Sequence, residues 1–223
     1  MSPDTSHDGI TGRADEMGAL ARAVRRVIAA VVVNRAPRAE VAAFAGELDA
    51  LAARIEEHVP VPEPHITETG GSGEITDGAT MAQRMPFDVV IGPYSPLALP
   101  VEVEFDGERA IGHAWFTTPY EGPPGCVHGA VIAASFDIVL TAANMAAKAA
   151  GLTVSLTMRY RRPTLLHEEA RFEAWVERVE QRRVYTRGHI VQRGSVTVEA
   201  EGVFAPLDPG HRLRPPGGRR RPS

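Results

Sequence analysis

The chain predicts an α+β fold, a largely antiparallel sheet wrapped on one long helix, and three observations carry that expectation. Short alternating apolar runs fill the C-terminal part of the chain, the mark of half-buried strands. One long apolar helical pattern, Gly129–Ala150, interrupts them midway. The chain before residue 60 has only helical periodicity, and a Pro- and Gly-rich stretch separates it from the rest.

Residues 1–13 are polar and rich in Gly, Ser and Asp, so they are expected to be disordered. From Ala14, the apolar residues Leu20, Val24, Val27, Ile28 and Val31 recur with helical period. Pro37 suits the first turn of a second helix, whose apolar set is Val41, Phe44, Ala45, Leu48, Leu51, Ala52 and Ile55. Residues 14–58 therefore read as a helical hairpin. The stretch 59–80, containing V-P-V-P-E-P and T-G-G-S-G-E, reads as a linker without regular structure. The main domain then spans 81–208, with strands at Phe87–Ile91, Leu99–Phe105 and Arg109–Thr117. Asp106-Gly107 signals a tight hairpin between the last two. After the helix, Gly151 suits a left-handed cap, and strands follow at Thr153–Arg161, Ala170–Glu180, Val184–Arg193 and Val196–Ala205. Residues 209–223 form a basic tail, expected to be disordered.

Composition narrows the function. The chain has 223 residues, 43% hydrophobic and 23% charged, and a formal net charge of -4. That balance gives no argument for nucleic acid, and only Arg219-Arg220-Arg221 is locally basic. No apolar run approaches the roughly 20 residues that span a bilayer. One cysteine, Cys126, excludes an internal disulfide framework and suits a reducing compartment, so the cytoplasm is the expected location. The eight histidines are scattered, with no H-x-H, H-E-x-x-H or cysteine-pair spacing, so no metal site is expected. Neither a G-x-x-x-x-G-K loop nor a strand-linked G-x-G-x-x-G appears, and no cofactor is implied.

The chemistry is expected where E-G-P-P-G-C-V-H-G-A-V-I-A-A-S-F-D, residues 121–137, delivers His128-Gly129 to the start of the apolar helix. A helix start offers backbone N–H groups without intrahelical partners, and its dipole stabilises developing negative charge. Glycine there lets a substrate approach the backbone. Asp137 interrupts the helix two turns on. Asp137, Thr141, Asn144 and Lys148 also form one polar stripe, which is how a solvent-facing side looks. Cys126, two residues before His128, has no third group to orient that histidine for thiol chemistry.

This element order and the motif G-P-P-G-C-V-H-G-A-x6-D resemble the hotdog-fold acyl-CoA thioesterases of the PaaI-like, HGG-motif group, from about Pro86 to Pro206. Thr153 after the helix and Arg162-Pro163 closing that strand add to the likeness. Ala130 stands where the family has a second glycine. The resemblance implies hydrolysis of an acyl-CoA thioester by a homodimer or homotetramer, without cofactor, nucleic acid or membrane as partner. Carried over residue by residue, it implies that Gly129, with Ala130, polarises the carbonyl, and that His128 orients the loop or helps hold the thioester oxygen. Asp137 then acts as nucleophile or general base, aided by Thr153.

Spacing supports a shared site independently. Gly129 and Asp137 are separated by roughly 12 Å of helix rise, so one chain cannot bring both to one carbonyl. A two-fold dimer with antiparallel central helices would. Phe136 and Tyr120 are expected in the acyl pocket, and Arg159, Arg161 and Arg162, with Arg182 and Arg183 nearby, are candidates for coenzyme A phosphates. The competing expectations are a hotdog dehydratase acting on acyl thioesters and a non-catalytic acyl-CoA-binding module.

Overall fold

A computed structural model describes residues 12–61, 75–180 and 182–206. The expectations for residues 1–11, for the Gly-rich part of the linker and for the basic tail lie outside the described residues. The elements are helices α1 (Ala14–Val33), α2 (Arg38–Glu56) and α3 (Gly78–Arg84), strands β1 (Val101–Asp106) and β2 (Arg109–Trp115), helix α4 (Gly129–Ala146), and strands β3 (Gly151–Tyr160), β4 (Glu169–Glu180), β5 (Arg183–Gln192) and β6 (Ser195–Pro206). A single 3-10 turn, Thr118–Tyr120, precedes α4. The strands form one sheet in the order β1-β2-β4-β5-β6-β3. Every pairing is antiparallel.

The sheet buries one face because its strands alternate. Phe172, Ala174, Ile190, Val198 and Phe204 are fully or nearly fully buried against α4. The intervening residues carry ion pairs on the other face, among them Arg161 with Glu199, Arg187 with Glu177 and Arg171 with Glu173. Hydrophobic-in and polar-out is the expected pattern for an antiparallel sheet with one solvated side. Helix α4 sits in a trough of glycines on three strands. A Cβ on Gly112 would lie 3.0 Å from Val139 Cγ2, one on Gly188 3.2 Å from Phe136 Cε1, and one on Gly202 3.0 Å from Leu140 Cδ1. Phe136 meets Phe172 edge to face with ring centroids 5.1 Å apart, an arrangement worth about 0.5–1.5 kcal/mol beyond its burial.

Several boundaries differ from the sequence reading. Phe87–Ile91 is a turn rather than a strand, because the Asp88 carboxylate accepts the N–H groups of Val90 and Ile91 at 2.8 and 3.0 Å. Helix α4 ends at Ala146, not Ala150, and Lys148 rather than Gly151 takes the left-handed conformation, with φ 56°. Gly151 is instead the first residue of β3. In the β1–β2 hairpin the loop residues are Gly107 and Glu108, flanked by the paired Asp106 and Arg109. The expected linker also overlaps α3, whose N-terminus is a capping box: the Asp77 side chain accepts from Thr80 N–H, and the Thr80 hydroxyl oxygen accepts from Asp77 N–H. Glycine is required at Gly78, where a Cβ would fall 1.6 Å from the Val103 carbonyl oxygen of β1.

The two N-terminal helices are present, but their expected apolar faces are not what is buried. Helix α1 buries Gly18 and Ala21, small residues that let it approach Tyr94, and Arg25 donates to the Ser95 carbonyl at 2.6 Å. Leu20, Val27, Ile28 and Val31 stay exposed. Helix α2 buries no residue.

Candidate active site

The loop before α4 is tied down on both sides. Glu121 accepts from Gly125 N–H at 2.6 Å, with Gly125 at φ 75°. Val127 donates to the Thr164 carbonyl and Leu166 donates to the Gly125 carbonyl, fastening the loop to the segment beyond β3. His128 N–H donates to the Tyr120 carbonyl at 2.8 Å. Gly122 lets the chain fold back, since a Cβ there would be 2.8 Å from His128 Cα. His128 is the N-cap of α4, and its Nδ1 accepts from Ala130 N–H at 3.0 Å.

That last bond divides the two expected oxyanion donors. The Ala130 N–H is occupied by the histidine, so Gly129 N–H, in the first turn of α4, is the group left to meet a carbonyl oxygen. Ala130 itself is exposed, which is why a methyl group fits where the family has glycine. Tyr160, which the sequence reading did not single out, donates its hydroxyl to the Gly129 carbonyl at 2.8 Å. Burial raises the Tyr160 pKa, keeping the hydroxyl protonated as a donor. Its only sequence signal was its place before the Arg161-Arg162-Pro163 strand end.

Asp137 lies half-buried on α4, and its Oδ1 accepts from the Thr153 hydroxyl at 2.8 Å. A β-bulge makes that contact possible. The β3–β6 register shifts between Thr153 and Ser155, inserting Val154. Thr153 and Tyr160 are an odd number of residues apart and would face opposite sides of a regular strand. The extra residue brings both to the α4 side, along with the partly buried Leu156 and Met158. Asp137 is therefore served from the beginning of β3, and Gly129 from its end. The two groups remain separated by roughly 12 Å of helix rise.

The remaining expected residues are distributed differently. Phe136 is fully buried in the core and faces the sheet, not an open pocket. Tyr120 lines a cavity of about 580 Å³ between α1 and the β1–β2 hairpin, with Arg25, Leu99, Val101, Trp115 and Glu169. Burial raises the pKa of this tyrosine, opposed by nearby Arg25. Arg161 reaches Glu199 with Nε and Nη2 at 2.9 and 2.8 Å. It and Arg159 alternate with Met158 and Tyr160 and so lie on the sheet face away from α4. Arg162, past the strand end, donates to Ser195 Oγ at 3.2 Å. Asn144 leaves the expected polar stripe altogether: it is fully buried and accepts from the Thr186 hydroxyl. Cys126 is a half-buried free thiol.

One sheet wrapped on a central helix, with a tethered loop presenting that helix's N-terminus, defines a hotdog-fold domain. The family model described as "Thioesterase superfamily" matches residues 124–199, the stretch from the loop into the first residues of β6. Protein RHA08564, a thioesterase superfamily protein of known crystal structure, is 33% identical, with 85% of this chain and 90% of that one covered and a TM-score of 0.72. The zebrafish thioesterase superfamily member 2 is 17% identical, covering 48% of this chain and 82% of its own, at a TM-score of 0.45. The E. coli PaaI protein of the phenylacetic acid degradation operon is 16% identical, covering 47% and 82%, also at 0.45. This chain belongs to the thioesterase superfamily, whose chemistry is thioester hydrolysis. Residues from Ile75 onward make up two thirds of the sequence, so the 85% match with RHA08564 extends into the segment that carries α1 and α2.

Proposed function

We propose that the protein hydrolyses acyl-CoA thioesters at two composite sites, each joining Gly129 of one copy to Asp137 of a second. The observation that carries this reading is the placement of those groups toward opposite ends of β3, an edge strand with no strand on its outer side among the described residues. Antiparallel pairing of two β3 strands about a two-fold axis brings the Tyr160 end of one copy to the Thr153 end of the other. Each Gly129 then meets an Asp137 across the interface.

In this mechanism Gly129 N–H donates to the thioester carbonyl oxygen, and the helix dipole favours the oxyanion as it forms. Asp137, oriented by Thr153, takes a proton from water as the water oxygen bonds to the carbonyl carbon. Collapse of the tetrahedral intermediate breaks the C–S bond. The departing thiolate recovers the proton from the Asp137 carboxyl, leaving free acid and coenzyme A. His128 holds the loop through its two bonds. Arg162, at the Tyr160 end, is the arginine best placed for coenzyme A phosphate. The single free cysteine fits a cytoplasmic setting.

Release of free thiol from short, medium, long and aromatic acyl-CoA substrates tests the reading, with Asp137→Asn as the variant. A fall in turnover of at least about 10²-fold with an unchanged fold is expected. Equal turnover in both proteins, or none with any substrate, would sink the mechanism; binding without release would favour an acyl-CoA-binding module.

A further inference from the structure

The large apolar side chains of α2 are Val41, Phe44, Leu48, Leu51 and Ile55, each between 39% and 46% exposed. They recur at alternating intervals of three and four residues. That spacing of the large side chains is the a/d pattern of a coiled-coil seam. One flank of the seam carries Ala45 and Ala52, the other Glu47 and Arg54. If this helix meets itself antiparallel, Phe44 packs on Ile55 and Leu48 on Leu51, each twice by symmetry. Glu47 of either copy then faces Arg54 of the other, and the alanines on the opposite flank allow close approach. Parallel pairing would instead set Glu47 and Arg54 against alanines. An anionic lipid surface is disfavoured, because Glu40, Glu47, Asp49 and Glu56 outnumber Arg38 and Arg54 on this helix.

We propose that α2 is a self-association element that pairs antiparallel with α2 of a second copy of this chain through the Phe44–Leu48–Leu51–Ile55 seam. This contact is independent of the thioester site and of the β3 edge. It accounts for a helix with an apolar seam and no residue buried within its own chain.

The test uses the full chain carrying Cys126→Ser, Glu47→Cys and Arg54→Cys, oxidised mildly at low concentration and resolved on a non-reducing denaturing gel. The two new thiols sit two helical turns apart and cannot bridge within one helix. A covalent dimer is expected, lost when Leu48→Glu is added and much weaker when either new cysteine is present alone. Leu48 is exposed, so the added glutamate is expected to leave the thermal unfolding of the domain unchanged. The proposal is overturned if no interchain disulfide forms, if the dimer survives Leu48→Glu, or if either single-cysteine chain cross-links as well as the double one. Cross-linking by Glu47→Cys alone would mark antiparallel pairing in another register, centred on residue 47, and would likewise overturn the proposed seam.

Discussion

Tyr160 shows how a residue outside the reacting groups can set their geometry. Its hydroxyl fixes the first carbonyl of α4, and a Cβ on Gly129 would come within 3.2 Å of that same oxygen. The glycine thus leaves room for the tyrosine and, in the proposed mechanism, for close approach of a substrate. Tyr160→Phe removes one hydrogen bond worth about 1 kcal/mol, and the expected result is a roughly five- to tenfold lower kcat with little change in KM. Steady-state kinetics on the folded variant would check it, and an unchanged kcat would show that the Gly129 N–H needs no such anchor. Neither Tyr160 nor the burial of Asn144 was legible beforehand. A tyrosine at a strand end and an asparagine on a polar stripe carry no local pattern that tells which way they face. His128 and Gly129 stand at the start of α4 and Asp137 two turns on, where the loop motif and the helix period put them, while Thr153, which bonds Asp137, was singled out only through the family resemblance.

Among the elements, the strands after α4 were foreseen to within two residues at each end, since alternation is strong where one sheet face is charged and the other packed. Phe87–Ile91 failed because apolar content alone cannot register a carboxylate that captures two backbone N–H groups. The end of α4 failed because a local cap closes the helix early: Lys148 N–H donates to the Met145 carbonyl and Ala149 N–H to the Asn144 carbonyl, so a lysine and not the nearest glycine takes the positive φ. The bulge at Val154 was invisible because it exists only relative to β6. Deleting Val154 is expected to restore regular alternation and to leave Thr153, then six positions from Tyr160, on the α4 side facing Asp137. Turnover should then stay close to that of the unaltered chain, whereas Thr153→Val should lower it on the order of tenfold or more, while circular dichroism stays that of the folded domain in both. A loss in the deletion as large as in Thr153→Val would show that the bulge itself, and not only the side the threonine faces, places its hydroxyl.

At the scale of the molecule, the shared-site reading predicts complementation. Asp137→Asn and Gly129→Val chains are each expected to be nearly inactive alone. Co-expressed, half of randomly paired dimers combine the two, and one of the two sites in each such dimer is intact. Thiol release should recover to roughly a quarter of the unaltered level. No recovery despite mixed dimers would place both groups in one chain's site and overturn the two-copy arrangement.

The open edge of β3 has a kinetic corollary. If each chain holds two half-sites and no complete one, catalysis is a property of the encounter between chains, and activity per chain is governed by protein concentration. Serial dilution would then make the rate fall faster than in proportion to the enzyme added, and abundance itself would set when the chemistry is switched on.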